Sequence, residues 1–520
     1  MKRMIAAAFT GMLLCSVAHA QELKIGTTYN PSVDPHYLYI VPNIAFNRHL
    51  YEPLVAQTNE KKLIPGLAEK WEIVEPTKWR FHLRKGVKFH NGSDFTADDV
   101  VFSYDRVTSI PNNPGSYASY LTNVAKVEKV DDFTIDITTS VPNPLLPEQT
   151  NGILIISKAA AENHPPADFN SGASAIGTGP FKYGDFRQGE SLKLTRFDGY
   201  WGEKPAWESV NFRVMTEAGA RTAALESGEV DMIDLVRPSD AARLSQKDGI
   251  SVAPAKTNRI FFLGAMANDK PSKLVTDNSG KPLEKNPLSD ARVRKAISVA
   301  LNREAIADRL FGGYAEPASQ LATPGTIGYL DSVKPDVQSL DEAKKLLADA
   351  GYSDGFKLAF WCPNLDVYPQ VCQAVAQMVA RINIKADVQL MPSSTFFGKV
   401  NPPDNEAPLF LTGWNNLYGD ALNAMIPNVR SYDKARNIGD ANAQAFSDPE
   451  LDKALDAATQ ELDPAKHKEL VETAMKIAVE KYAVIPVTRV DTIFATRKEI
   501  IYSPGTLNLT TAMWAKPTAQ

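Results

Sequence analysis

The chain has 520 residues, a formal net charge of −5 and 44% hydrophobic residues. Because a single hydrophobic core stops growing near roughly 250–300 residues, two or three lobes are expected. The mild acidity argues against a nucleic-acid partner, which would require clustered basic surface.

The first twenty residues have the pattern of a secretory signal. Lys2 and Arg3 give a positive start, 4–14 is an apolar run, and 18–20 supplies the small residues that a signal peptidase recognises. The run is too short for a membrane-spanning helix, which needs about 20 apolar residues. We therefore predict that 1–20 is a signal peptide and that the mature protein is periplasmic.

Two cysteines remain after this segment, Cys362 and Cys372. Export places them in an oxidising compartment, where a pair is more often bridged than free. Metal binding is the weaker alternative, because no histidine or second cysteine pair lies near them in the sequence. We predict a Cys362–Cys372 disulfide, no metal centre and no cofactor.

The first half of the chain is dominated by strand patterns, in which apolar and polar residues alternate. Thr96 is predicted to begin a helix through a capping box, and Gly228 to end another over 216–225. Strands are predicted at 23–29, 79–84, 192–197 and 210–214, and a hairpin at 126–139.

Beyond residue 262 the pattern changes to helices alternating with strands. A helix at 369–381 between strands at 356–361 and 384–390 predicts a parallel crossover. Further helices are predicted from Asp290, from Ser339 to Gly351 and as a pair over 449–480, with final strands at 483–490 and 493–495.

Several short motifs, in order along the chain, resemble those of bacterial extracellular solute-binding proteins of family 5, the peptide/nickel type that serves ABC importers. Each motif alone is weak, and their order gives the resemblance its weight. The motifs are GLAEKWE at 66–72, RKGVKFHNG at 84–92, FTADDVVFS at 95–103, GTGPF at 177–181, YWG at 200–202, LESGEVD at 225–231, SDARVRKA at 289–296, 343–351 and GW at 413–414.

The resemblance implies an α/β fold of the two-lobed periplasmic binding protein class (type II, cluster C-like), with an extra subdomain in lobe I and a ligand cleft between the lobes. The chain would cross between the lobes near 261–263 and again near 485–487. Lobe I would comprise 21–47, 171–262 and 488–520, its inserted subdomain 48–170, and lobe II 263–487.

The resemblance also implies a function. The protein would bind a solute, most simply a peptide, by lobe closure and deliver it to two transmembrane permease subunits with ATP-binding subunits. We expect a monomer without enzymatic activity. No Walker A motif is present, since Gly184 and Gly189 are followed by Glu190 and Ser191 instead of a lysine.

Ligand sites combine aromatic walls with a few fixed polar groups. Trp414 ends an apolar run, and a strand end followed by a polar loop is where α/β proteins bind ligands. Tyr29 and Asn30 follow the first strand in the same way, and Arg259 near the first crossing could meet an anion. The remaining candidates share the loop of Trp414, and are Asn415, Asn416 and Asp420. Packing at the lobe edge, a solvated loop and a structural ion pair are alternative roles for these residues.

Two positions depart from the peptide-binding pattern. Leu417 stands where such relatives carry an Asp for the peptide amino terminus, and Asp420 follows three residues later. The loop around Asp366 lacks the basic residue that some relatives use against a carboxylate. An opine-like compound, an oligosaccharide or a metal chelate therefore remains an alternative ligand, and a periplasmic hydrolase an alternative function.

Overall fold

The computed structural model describes residues 22–111, 113, 116–121, 123–403, 405–436, 438–507 and 509–518. The predicted signal peptide, 1–20, lies outside the described residues.

The strands are given in chain order. They are β1 Glu22–Thr27, β2 Glu52–Pro53, β3 Val55–Gln57, β4 Leu63–Pro65, β5 Ala68–Glu75, β6 Lys78–Leu83, β7 Val124–Asp131, β8 Thr134–Thr139, β9 Leu154–Ile155, β10 Phe181–Arg187, β11 Ser191–Arg196, β12 Ser209–Val214, β13 Met232–Ile233, β14 Ile250–Ala265, β15 Val275–Thr276, β16 Ala315–Pro317, β17 Phe356–Pro363, β18 Ile384–Met391, β19 Leu409–Asn415, β20 Ile485–Arg497, β21 Ile500–Tyr502 and β22 Ala515–Pro517.

The α-helices follow the same convention. They are α1 Val41–Asn47, α2 Ala97–Ser109, α3 Leu146–Thr150, α4 Lys158–Ala161, α5 Ala167–Asn170, α6 Ala218–Ser227, α7 Pro238–Leu244, α8 Ala291–Ala300, α9 Arg303–Phe311, α10 Leu340–Asp349, α11 Tyr368–Ala380, α12 Ser393–Val400, α13 Leu422–Val429, α14 Pro449–Ala458 and α15 Pro464–Glu480. Short 3-10 helices lie at Tyr117–Leu121, Pro287–Ser289 and Ala512–Trp514.

Local sequence signals account for many of these bounds. The capping box at α2 is confirmed, with the Thr96 backbone N–H donating to Asp99 at 2.9 Å. Gly228 ends α6 in the left-handed region at φ 78°, where a residue without Cβ is favoured. The predicted hairpin is confirmed as β7 paired with β8, and the crossover as β17 parallel to β18 with α11 between them.

Two elements differ from the sequence-based expectation. The apolar runs at 483–490 and 493–495 contribute to one continuous strand, β20, because Thr492 between them still pairs with Ala255 of β14. The 16-residue β14 was not predicted, since Thr257, Asn258 and Arg259 interrupt its apolar pattern. Its ladder with β20 shifts register at this polar segment.

β14 and β20 connect the two halves of a large mixed sheet. They pair antiparallel from Ile250 opposite Arg497 to Leu263 opposite Ile485. On one side of this pair, β20 neighbours β13, and the sheet continues through β1, β12 and β11 to β10. On the other side, β14 neighbours β19, and the sheet continues to β17, which is flanked by β18 and β15. Both predicted chain crossings therefore lie within these two strands.

The hydrophobic cores follow the same division. The lobe I cluster draws its buried residues from 23–51, 154–255 and 494–515, and the insert cluster from 44–155. Two lobe II clusters lie between 261 and 487. The predicted two-lobed α/β architecture is confirmed, whereas the domain bounds at 48, 170, 262 and 488 stay predictions.

The GTGPF motif forms a close backbone contact between lobe I segments. Gly179 N donates to Leu50 O at 2.9 Å, and Phe181 N donates to His49 O at 2.9 Å. A Cβ atom on Gly177 would lie 2.0 Å from Leu50 O. Glycine avoids this clash because it has no Cβ. The motif therefore fixes the path of the chain, as its residue types suggest.

Candidate functional site

Three of the predicted ligand-binding residues, Arg259, Trp414 and Asn415, lie where β14 and β19 pair. Arg259 lies opposite Asn415 and Ile260 opposite Trp414 in this antiparallel ladder. Side chains alternate along a strand, so Trp414 and Asn415 point to opposite faces of the sheet. The two faces present different chemistry.

On one face, Trp414 packs against a lobe II cluster that includes Phe262 and Leu321. Leu145, from the predicted subdomain, packs against the same cluster. The indole Nε1 of Trp414 is buried and has no hydrogen-bond partner within the described residues. An indole N–H normally finds an acceptor when it is buried, so this unpaired donor is a candidate ligand contact.

On the other face, Arg259 lies beside two aromatic rings. Its guanidinium is 5.0 Å from the ring centre of Phe261 and 5.9 Å from that of Tyr368, and Nη2 donates to the Tyr368 hydroxyl at 3.2 Å. In the part of the chain that the structure describes, no carboxylate lies within 4.0 Å of it. The cation therefore lacks a close anion.

Tyr29 and Asp366 complete the surroundings of Arg259. Burial raises the pKa of the Tyr29 hydroxyl, and the positive charge of Arg259 partly opposes that shift. The charge of Asp366 also acts to raise the pKa of Tyr29, although Asp366 makes no salt bridge with Arg259 among the described contacts. Tyr29 of lobe I and Arg259 at the crossing thus lie within electrostatic range of each other.

Asn415 adds a second uncommitted polar group. Its Oδ1 is buried without a hydrogen-bond donor in the residues that the structure covers. Buried polar atoms are nearly always paired in native proteins, so an exception is a candidate for a ligand or water contact. Arg259 and Asn415 offer a cation and an acceptor on one face of the strand pair, and Trp414 offers a donor on the opposite face.

The other three predicted residues are engaged by the protein. Asn30 Oδ1 accepts from Gly189 N at 2.9 Å, and Asn416 Nδ2 donates to Asp420 O at 3.1 Å. Asp420 accepts from Leu422 N at 2.8 Å and contacts His467 Nε2 at 2.6 Å, fully buried. Their role as ligand contacts stays a prediction.

The structure adds residues that sequence reasoning missed. Tyr418 packs near Tyr120, with ring centres 6.1 Å apart, and Lys61 donates to the carbonyl oxygens of Asn416 and Tyr418. These contacts join the predicted subdomain to the loop after Trp414. No local signal identifies them, because Lys61 lies in a polar turn that is typical of exposed surface.

The loop at Asp366 is fixed by the predicted disulfide. Cys362 at the end of β17 and Cys372 in α11 are bonded across ten residues, which confirms that prediction. Asp366 within this loop has φ 50°, and Tyr368 follows it to meet Arg259. The bridge therefore holds one wall of the candidate site.

Two kinds of feature are absent from the described residues. No group of three or more histidine, cysteine or acidic residues is arranged to hold a metal ion in the described part of the chain. Within the same residues, no helix combines the length and apolar character needed to span a bilayer.

Comparison with known proteins gives consistent results. The family model "Bacterial extracellular solute-binding proteins, family 5 Middle" matches residues 62–436. The dipeptide-binding protein of Escherichia coli K12 is 30% identical over 428 residues, covering 76% of this chain and 74% of that protein. The glutathione-binding protein GsiB of Shigella boydii serotype 4 is 27% identical over 497 residues, covering 93% and 92%.

A solved structure shows the same fold. The periplasmic binding protein DppA of Helicobacter pylori, in complex with the peptide STSA, superposes with a TM-score of 0.77 at 21% identity, covering 95% of this chain and 98% of that one. The ordered motifs, the two-lobed sheet and these matches agree, and the chain belongs to the bacterial extracellular solute-binding proteins of family 5.

Proposed function

We propose that this protein is the periplasmic binding component of a peptide importer, and that its ligand is a short peptide or peptide-like solute. The observation that carries the proposal is the set of uncommitted polar groups on the β14–β19 pair. Arg259 lacks a close anion, Asn415 Oδ1 lacks a donor and Trp414 Nε1 lacks an acceptor among the described residues.

A peptide complements the two groups that share a face of the sheet, the Arg259 cation and the Asn415 acceptor. Its carbonyl oxygens and carboxylate accept hydrogen bonds, and its amide N–H groups donate them. A sugar also supplies donors and acceptors, but it offers no anion to Arg259. The relatives named for dipeptides and glutathione support the peptide class over the alternatives.

Ligand capture would proceed by lobe closure. Lys61 and Tyr120 of the predicted subdomain contact Asn416 and Tyr418, which directly follow the strand carrying Trp414. Closure of this kind encloses the ligand between lobes and commits it to the binding protein. The closed form would dock on two transmembrane permease subunits, with nucleotide hydrolysis in separate ATP-binding subunits and this chain as a monomer.

The test is titration calorimetry on the mature chain, residues 21–520, purified from the periplasm. The panel contains the peptide Ser-Thr-Ser-Ala, the dipeptide Met-Leu, glutathione, an opine, a maltose oligosaccharide and a nickel–histidine complex. We expect at least one peptide to bind with a Kd of about 10 μM or tighter, the scale of about 7 kcal/mol.

Binding of a non-peptide compound alone would overturn the peptide assignment. Failure of every compound, with folding confirmed by circular dichroism, would count against the panel's ligand classes as a whole. Mass spectrometry of any small molecule that co-purifies gives an independent identification. Conversion of a bound peptide to fragments during incubation would instead support the hydrolase alternative.

A further inference from the structure

Asp366 lies in the loop that follows β17, at the carboxyl end of that strand. β17 runs parallel to β18 and β19, and α/β proteins bind ligands at the carboxyl ends of parallel strands. The residue is exposed, and its carboxylate makes no hydrogen bond or salt bridge with any residue that the structure describes. The carboxylate is therefore open to solvent and uncommitted within the described fold.

The backbone holds Asp366 in a fixed place. The disulfide closes this loop, Asn364 N donates to Met391 O at 2.7 Å, and Tyr368 N donates to Leu365 O at 3.1 Å. Asp366 has φ 50°, in the left-handed region that Asp and Asn occupy more readily than most residues with a side chain. The loop thus presents the carboxylate from a set position at the end of the strand.

A cation without a close anion lies near this carboxylate. Arg259 Nη2 donates to the hydroxyl of Tyr368 at 3.2 Å, and Tyr368 is only two residues beyond Asp366. Consecutive Cα atoms are about 3.8 Å apart, so these two Cα atoms lie within about 7.6 Å of each other. Even so, no nitrogen of Arg259 lies within 4.0 Å of a carboxylate oxygen of Asp366.

The two charges nevertheless interact. Burial lowers the pKa of the Arg259 guanidinium, but its interactions with Tyr368, Asp366 and Tyr29 outweigh burial, and the net pKa is raised. The fold therefore places a cation and an anion within electrostatic range of each other without pairing them. Each remains unpaired by a close opposite charge within the described chain.

Tyr29 of lobe I lies beside both charges. It follows β1, which is parallel to β12 and β13, so it also lies at the carboxyl ends of parallel strands. Burial raises the pKa of its hydroxyl, and the charges of Arg259 and Asp366 act on that pKa as well. The residue is still 38% exposed. A side chain that is surrounded by protein and yet accessible is typical of a cleft wall, which here brings lobe I next to the two charges.

Two further charges act on Tyr29, but the fold uses both of them. Arg221 donates to four backbone carbonyl oxygens. Asp234 is 3% exposed and accepts hydrogen bonds from two threonine hydroxyls. Around this tyrosine, Arg259 and Asp366 are therefore the charged pair that a ligand can still engage.

We propose that Asp366 binds an ammonium group of the ligand while Arg259 binds its anion, so that the protein selects zwitterionic ligands with a free amino group. The inference rests on the proposed binding function and deepens it by naming the second charge of the ligand. Hydrogen bonds between an ammonium and a carboxylate are roughly twice as strong as neutral ones. Fixed charges of opposite sign also set the direction in which the ligand binds. A basic residue in this loop would repel the ammonium, which accounts for an acid at Asp366.

The experiment compares Met-Leu with N-acetyl-Met-Leu, which lacks the ammonium, by calorimetry on the mature chain. We expect the wild-type protein to prefer the free amine by roughly tenfold or more, the scale of a hydrogen bond to a charged group. Asp366→Asn tolerates the same backbone conformation but removes the charge, and it should abolish the preference. Asp354→Asn, in the turn before β17, removes an exposed carboxylate at the opposite end of the strand. It is the matched control and should keep the preference.

Comparing both ligands on both proteins isolates the contact between Asp366 and the ammonium from the bulk of the acetyl group, as in a double-mutant cycle. An equal preference in Asp366→Asn and the wild-type protein would overturn the proposal. So would equal binding of Met-Leu and N-acetyl-Met-Leu to the wild-type protein, a result that leaves the peptide assignment intact.

A second set of probes separates this proposal from the peptide assignment. Methionine carries both charges, methioninamide the ammonium alone and N-acetylmethionine the anion alone, and saturation-transfer NMR measures their weak binding. We expect methionine to bind most tightly and to lose its advantage over N-acetylmethionine in Asp366→Asn. That result without binding of any peptide would support the proposal and reject peptides as ligands. Absence of binding by both methionine and Met-Leu would overturn it.

Discussion

The Lys61 side chain donates to the backbone carbonyl oxygen of Asn416, so the predicted subdomain contacts the loop that follows Trp414. A second acceptor, Tyr418 O, lies 3.4 Å away. Lys61 is 6% exposed, and no salt bridge to it is formed within the described residues. A buried lysine at this contact would link the proposed closure to protonation.

The first prediction concerns the pH dependence of closure. Burial lowers the pKa of Lys61 to about 7. In an open form, with the amine in water, the value would be near 10.4. Between these values closure releases a proton, so ligand affinity should rise with pH from about 7 to about 10, by less than tenfold per unit.

Calorimetry at pH 7 and pH 9 in buffers of different ionisation enthalpy measures the number of protons released on ligand binding. The variant Lys61→Met should bind without the proton release, and Lys62→Met in the same turn should behave as the wild-type protein. Equal pH slopes for Lys61→Met and the wild-type protein would contradict the role of Lys61.

The second prediction concerns Asp420, whose carboxylate contacts His467 with both side chains almost fully buried. Breaking such a pair typically removes about 3–5 kcal/mol of unfolding free energy. We expect Asp420→Asn to lose stability of this order in urea titrations, while ligand affinity changes less than about threefold. A large loss of affinity in a stably folded Asp420→Asn would instead establish Asp420 as a ligand contact.

The same pair predicts a pH dependence of stability. Burial lowers the pKa of His467, but its hydrogen bond and charge interaction with Asp420 outweigh that effect, and the net pKa is raised. The stabilisation is therefore fully present below the unfolded value of about 6.5 and is lost as pH rises through the folded value. The stability difference between the wild-type protein and Asp420→Asn should be greater at pH 6 than at pH 9.

The third prediction concerns the buried indole of Trp414. Trp414→Phe keeps an aromatic ring but removes the N–H, and a lost neutral hydrogen bond weakens affinity by about two- to tenfold. It should also remove most of the change in tryptophan fluorescence on ligand binding. Trp71→Phe, on β5 of the predicted subdomain, is the control and should keep both the ligand affinity and the fluorescence change. A full fluorescence change in Trp414→Phe would place the ligand elsewhere.

The fourth prediction concerns the disulfide. A bridge that closes a loop of ten residues contributes about 3 kcal/mol on the chain-entropy model. The double variant Cys362→Ser, Cys372→Ser should lose stability of that order and weaken ligand binding, because the loop carries Tyr368 against Arg259. Unchanged stability on reduction of the wild-type protein would show that the bridge is dispensable.

Sequence and structure contributed differently to these results. Local rules identified α2 through Thr96, the end of α6 through Gly228 and the parallel crossover through its alternating patterns, because each signal acts within a few residues. The long β14 was missed since its polar segment at 257–259 contradicts the pattern of a buried strand. Its pairing with β20, more than 200 residues away, compensates for that local disadvantage.

The candidate site depended on the tertiary structure to a greater extent. The sequence by itself identified the family motifs, the cysteine pair and the loop after Gly413 as a candidate ligand site. It could not show that Asp420 is committed to His467, or that Lys61 donates to the carbonyl oxygen of Asn416. Whether a polar group is satisfied depends on contacts between distant residues, so only the folded chain decides which groups remain available to a ligand.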